Sequence, residues 1–204
     1  MERSPSDKRT ALLVIDLQRA MFETNGIPPI DRGDALLATV QGLIAGARQA
    51  AIPVVYVRHD GGAGDELEAG TQGWQIHPAL APRPGEAVVD KRTPDAFHQT
   101  RLASTLVGAG IGRLIIAGAQ TEICVDTTCR RAFSLGFETI VVGDGHSTWD
   151  GNGLTARQIV RHHNAIWSGR FATLLSAAEI DFAQHATGRQ VAPIYLSNPP
   201  LGEI

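Results

Sequence analysis

The chain has too few cysteines for a disulfide framework: two in 204 residues, Cys124 and Cys129, with no CxxC between them. Five positions apart on a helix, they would lie about 140° from each other around its axis, so they are not expected to pair. The seven histidines show no HExxH or HxH spacing, and the usual sequence signals of a zinc site are missing. Positive charge is also scarce. The 18 Lys and Arg are scattered and outnumbered by 21 Asp and Glu, which leaves no field to hold a phosphate backbone, and no nucleic acid partner is expected. No segment approaches the roughly 20 apolar residues that cross a bilayer, which excludes a membrane partner of that kind. MERSPSDKRT is followed by only five apolar residues before Asp16, too few for the apolar core of a signal peptide. The expectation is a cytoplasmic protein. Internal repeats and low-complexity segments are absent as well.

What is present is a rhythm. Short runs rich in Val, Ile and Leu alternate with segments of helical period, the pattern of a parallel sheet covered on both faces. Strands are predicted at 11–16, 53–59, 86–91, 113–119, 138–144 and 171–176. Residues 34–50 place Leu36, Leu37, Val40, Leu43, Ile44 and Ala47 on one helical face, and shorter helices are predicted at 99–109, 123–135 and 154–166. This alternation implies right-handed crossovers and a doubly wound, three-layer α/β fold with a mostly parallel six-stranded sheet. One domain is expected over residues 1–204, with its core at about 10–180.

Two stretches break the rhythm. Residues 60–85 form a Gly- and Pro-rich connection, long enough to be functional, and Trp74, Ile76 and His77 suit a packed wall or lid better than a solvated linker. The apolar, Pro-rich tail 188–204 suits a subunit interface.

In a doubly wound sheet, ligands bind outside the carboxyl ends of the strands. Asp16 ends the first predicted strand, Lys91 the third, and Cys124 follows the fourth. Each has a bland reading alone, and a free Cys is commonly a buried small hydrophobe. Their convergence on one sheet edge points to chemistry. A helix N-terminus and a neighbouring ammonium would lower the pKa of Cys124 and favour a thiolate. Asp16 could take the thiol proton and return it to a leaving amine. The turn AQTEIC could aim backbone N–H groups at an oxyanion.

The motifs IDLQRAMF, VVDKRTPDAF and IAGAQTEICVDTTCRRAFSLGFETIVVGDGHSTWD resemble the isochorismatase-like cysteine hydrolases over residues 10–178. The resemblance implies an Asp16, Lys91 and Cys124 triad. It also implies a non-proline cis peptide at Ala119 and Gln120, and an oxyanion hole from the N–H groups of Gln120 and Cys124. The forms GAQTEICVDTT and LGFETIVVGDGHSTWD are similar to the streptothricin hydrolase branch. Where nicotinamidases of the family carry a metal-binding Asp-x-His-x-x-His, this chain reads RHDGGAGDE, so neither a metal nor a cofactor is expected. The implied activity is hydrolysis of a C–N bond in a small amide, lactam, ureido or carbamoyl substrate through a Cys124 thioester. An assembly, a homodimer or homotetramer, is implied too. Three alternatives stay open: a thiol redox or stress protein using Cys124, a vinyl ether hydrolase of the isochorismatase type, and a non-catalytic oligomeric binding protein.

Candidates for substrate contact are Gln18 and Phe22 past Asp16, His59 at the end of the second strand, Trp74 on the long connection, Phe97 past Lys91, and Trp149. Each has a structural alternative: a core contact for Phe22, a solvated rim for His59, a loop or interface anchor for Trp74 and, with preference, for Trp149. His146 could serve a Cys-His pair, although GDGHST also reads as a loop capping the next helix. Cys129 is expected to be a packing residue, and Arg130 and Arg131 a solvated helix face or interface contact.

Overall fold

Six parallel strands form one sheet in the order β3-β2-β1-β4-β5-β6 in the computed structural model, which describes residues 8–23 and 28–186. The strands are β1 (Arg9–Ile15), β2 (Val54–His59), β3 (Ala87–Lys91), β4 (Ile111–Ala119), β5 (Glu138–Ser147) and β6 (Thr173–Leu175). Among the described residues, five α-helices connect and cover them: α1 (Gly33–Gln49), α2 (Leu102–Gly108), α3 (Asp126–Ser134), α4 (Ala156–Trp167) and α5 (Phe182–Ala186).

The near-continuous apolar character of the strands follows from burial on both faces. Successive side chains of a strand point to opposite sides. Ala11, Leu13 and Ile15 of β1 therefore join one core cluster with Leu102 and Leu106 of α2, Ala132 of α3 and Trp167 of α4. Leu12 and Val14 join the other, which takes the six buried residues of α1 that the sequence pattern marks. Fully burying one such Leu or Ile contributes about 1.5–3 kcal/mol, so the stripe of α1 is enough to hold that helix to its face.

The direction of winding across the sheet reverses between β1 and β4: from β1 the chain winds toward β2 and β3, and from β4 toward β5 and β6. The crevice outside their carboxyl ends is the switch point where such sheets bind ligands. Close approach is built in there. A Cβ on Gly118, near the end of β4, would stand 2.2 Å from the Ile15 carbonyl oxygen of β1.

Several boundaries differ from those predicted. β6 has three residues instead of six. β5 runs on to Ser147, because after a register break around Gly143–Gly145 the strand pairs again through His146 and Ser147. Before α3 the chain makes a π-helical turn, Thr121–Val125, and Cys124 sits in that turn, two residues ahead of the helix. The 60–85 connection is packed against the body of the protein through its 73–77 part. Main-chain hydrogen bonds Arg19 N to Gln75 O, Ala20 N to Gly73 O and His77 N to Leu17 O stitch it to the segment after β1. The 188–204 tail and its expected interface lie outside the described residues, among which no helix is long and apolar enough to cross a membrane.

Candidate active site

Four strand ends deliver the site. Asp16 follows β1 in the left-handed region, at φ 52°, a conformation Asp tolerates better than most residues. Lys91 ends β3, two strands from β1, and its four-carbon stem spans the end of β2 to reach Asp16. Nζ lies 2.7 Å from Asp16 Oδ2, with both side chains completely buried. It also lies 3.2 Å from Cys124 Sγ and 3.0 Å from Nδ1 of His59, which ends β2 in register with Lys91. The peptide between Ala119 and Gln120 is cis, at the exit of β4 into the turn that carries Cys124.

The charge state differs from the sequence expectation. Burial pushes the Cys124 thiol up to about 12, the negative Asp16 adds to this, and Lys91 only partly opposes them. These surroundings favour the protonated thiol, the opposite direction from the expected lowering. The reason is tertiary: the same enclosure that brings Lys91 close also removes water and adds a carboxylate. Burial raises Asp16 as well, against the pull of Lys91. The carboxylate also stands within hydrogen-bonding reach of the Cys124 thiol, which makes Asp16 the acceptor nearest to its proton.

Asp16, His59 and Cys124 also offer donor atoms within 4.8 Å of one another, a spacing that would suit a metal. All three face Lys91 Nζ at hydrogen-bond distance. The ammonium stands where a cation would bind.

The other candidates separate into struts and walls. Gln18 is fully buried and is a clamp, not a pocket lining: its Nε2 donates to the carbonyls of His59 and Trp74, and its Oε1 accepts from His59 N–H. Gln18→Leu would leave these three backbone groups without partners. The expected loss is about 3 kcal/mol of stability, read by urea unfolding; a loss below about 1 kcal/mol would refute the clamp. Phe22 is half-buried and meets His77 edge to face at 5.1 Å. Trp74 carries the Arg58 guanidinium 3.3 Å above its ring, so one face is already occupied. Phe97 stacks on Phe137 in the core cluster that also includes Cys124. Trp149 anchors its loop, its indole N–H donating to the Pro28 carbonyl at 2.6 Å.

His146 is not a partner of Cys124. Asn164 Nδ2 donates to the Gly143 carbonyl, which turns its Oδ1 toward His146 Nε2 at 2.9 Å; His146 Nδ1 then accepts from Thr121 Oγ1, also at 2.9 Å. Burial lowers this imidazole to about 4, and it stays neutral as a brace for the Thr121–Val125 turn. Sequence reasoning missed the roles of Thr121 and Asn164, because only the resumed pairing of β5 places His146 between them. Cys129 is fully buried packing, as expected. Arg130 pairs with Asp126 at 2.8 Å, and Asp126 also accepts the Trp167 indole N–H, which ties α3 to α4.

The isochorismatase domain profile matches residues 10–179. A streptothricin hydrolase of Streptomyces noursei is 36% identical over 69% of this chain. The chain spans about half the length of such relatives, 50% and 55% of the two that match. Nicotinamidase 3 of Arabidopsis thaliana is 32% identical, over 73% of this chain and 78% of its own length. A solved isochorismatase family protein superposes with a TM-score of 0.75 at 40% identity, covering 82% of this chain and 98% of that one. The strand order, the sheet edge that gathers Asp16, Lys91 and Cys124, and these matches together establish that the chain belongs to the isochorismatase family.

Proposed function

We propose that the protein is a cysteine amidohydrolase that cleaves a C–N bond in a small amide, lactam, ureido or carbamoyl compound through a thioester on Cys124. One observation carries the reading: a single buried ammonium, that of Lys91, touches both the Asp16 carboxylate and the Cys124 sulfur. The relatives named as a streptothricin hydrolase and a nicotinamidase support hydrolysis.

The chemistry follows from the resting charges. Cys124 Sγ attacks the substrate carbonyl carbon while its proton passes to the Asp16 carboxylate, so that no free thiolate has to form in the buried site. The carbonyl oxygen takes up negative charge facing the N–H groups of Gln120 and Cys124. Asp16 gives the proton to the departing nitrogen as the C–N bond breaks. Water then adds to the thioester carbonyl, losing its proton to Asp16, and the proton returns to the thiol as the C–S bond breaks. The Lys91 ammonium offsets whichever of Asp16, sulfur or oxyanion is negative. A thiol held protonated weighs against the redox-sensor alternative, because oxidation proceeds through the thiolate. Cys124 itself weighs against the vinyl ether route, which needs no nucleophile.

The test is intact-mass spectrometry during incubation with a panel of amides, lactams, ureido and carbamoyl compounds, with amine release followed in parallel. An acyl adduct on Cys124 that forms and decays with turnover is expected, and Cys124→Ala should lose both. Turnover that persists in Cys124→Ala would refute the mechanism.

A further inference from the structure

We infer that His59 is a positioning residue for this reaction: its bare Nδ1 is the third acceptor that fixes the Lys91 ammonium, and protonation of the ring in acid unseats that ammonium. The inference rests on the amidohydrolase reading for its kinetic consequence, and on geometry alone for the contact.

An ammonium carries three N–H donors and no acceptor. Those of Lys91 have three acceptors within reach: Asp16 Oδ2 at 2.7 Å, His59 Nδ1 at 3.0 Å and Cys124 Sγ at 3.2 Å. The side chain is completely buried, so solvent does not replace a lost partner. Without His59 the third N–H would be unmatched, and Nζ would be free to turn away from the other two. His59 cannot drift, since Gln18 holds its N–H at 2.8 Å and its carbonyl at 2.9 Å. Because the ammonium donates, Nδ1 must be unprotonated and the ring proton must sit on Nε2.

Protonation would reverse the contact. A second cation would then face Lys91 at 3.0 Å, and Nζ would have to leave its seat, taking the counter-charge from Asp16 and Cys124 with it. The charged and titratable groups facing His59 are Lys91 on β3, Asp16 after β1, Cys124 in the π-helical turn, and Asp60 and Asp65 on the long connection. Of the carboxylates, Asp16 is committed to Lys91 and Asp60 to Arg92 at 2.8 Å. Burial and Lys91 hold the imidazole below its ordinary 6.5 against them, which keeps the acceptor form at neutral pH.

Two variants separate the acceptor from the proton. His59→Asn keeps an acceptor near the place of Nδ1 but cannot titrate; His59→Leu fills the space without one. The probe is p-nitrophenyl acetate: a C–S bond forms at Cys124, p-nitrophenolate leaves, and the thiol proton passes to Asp16. Wild-type acetylation should fall on acidification through the imidazole's depressed range. His59→Asn should retain more of the neutral rate than His59→Leu and hold it to lower pH, whereas His59→Leu should be slower than wild type at every pH by roughly 10- to 100-fold, the weight of one hydrogen bond to a charged group. Wild-type rates in a folded His59→Leu, or an unchanged acid limb in His59→Asn, would overturn the inference. A ¹⁵N spectrum of the imidazoles reads the contact without any turnover. At neutral pH the His59 signal, assigned by its loss in His59→Asn, must show the Nε2–H tautomer, and a proton on Nδ1 overturns the proposal. The expected tautomer with no acetyl on Cys124 supports the contact and counts against the hydrolase reading alone.

Discussion

Lys91→Met is expected to abolish turnover and to lower stability by about 3–5 kcal/mol at neutral pH, the range measured when one partner of a buried ion pair is removed. Methionine keeps the apolar stem, so the loss reports the charge. Asp16, buried and without its counter-ion, should take up a proton, its pKa rising beyond the increase that burial already causes. The sign of the pH dependence follows. A carboxyl whose folded pKa lies above its unfolded value of 3.8 adds stability that is fully present below 3.8 and is lost as pH rises through the folded pKa. The gap between variant and wild type should therefore be narrow in acid and widest at neutral pH. Adding Asp16→Asn should recover much of the stability at neutral pH and none of the activity. Urea unfolding at several pH values measures all of this; a deficit that does not vary with pH would show that Asp16 is not the group left exposed to the loss.

Gly118→Ala should be strongly damaging for so small a change. The new Cβ would lie 2.2 Å from the Ile15 carbonyl oxygen and 2.8 Å from the Ile15 Cβ and N, all on the neighbouring central strand. None of these atoms is the end of a flexible side chain, so β1 and β4 must separate. About 3 kcal/mol or more should be lost, at the upper end of the range for overpacking. Activity should fall further than stability, because Ile15 leads into Asp16 and β4 leads into the Cys124 turn. Melting within about 2 °C of wild type would refute the close approach, since 1 kcal/mol shifts a domain of this size by about 2–4 °C.

The two predictions draw on information of different visibility. Asp16, Lys91 and Cys124 were legible because a doubly wound sheet brings its strand ends to one edge, and the apolar runs marked where those strands end. The stripe of α1 was legible for a similar reason, since helical period alone selects its buried face. The thiol's pKa was not, because helix position and a nearby Lys are local signals, while the opposing burial and the Asp16 charge exist only in the folded site. Nor was the job of Gln18, whose partners lie 41 and 56 positions away. The resumed pairing of β5 was hidden by GDGH, whose glycines read as a loop. His59 was visible as a rim residue at a strand end; that its ring turns inward to Lys91 depends on the register of β2 with β3.

The seat of the Lys91 ammonium has a consequence for where such a site can work. A carboxylate, an imidazole and a sulfur gathered this closely would ordinarily wait for an ion from solution, and their occupancy would follow its supply. Here the cation is part of the chain. Its local concentration is set by a covalent stem and not by the surroundings, so chelators, dilution and metal scarcity leave it in place.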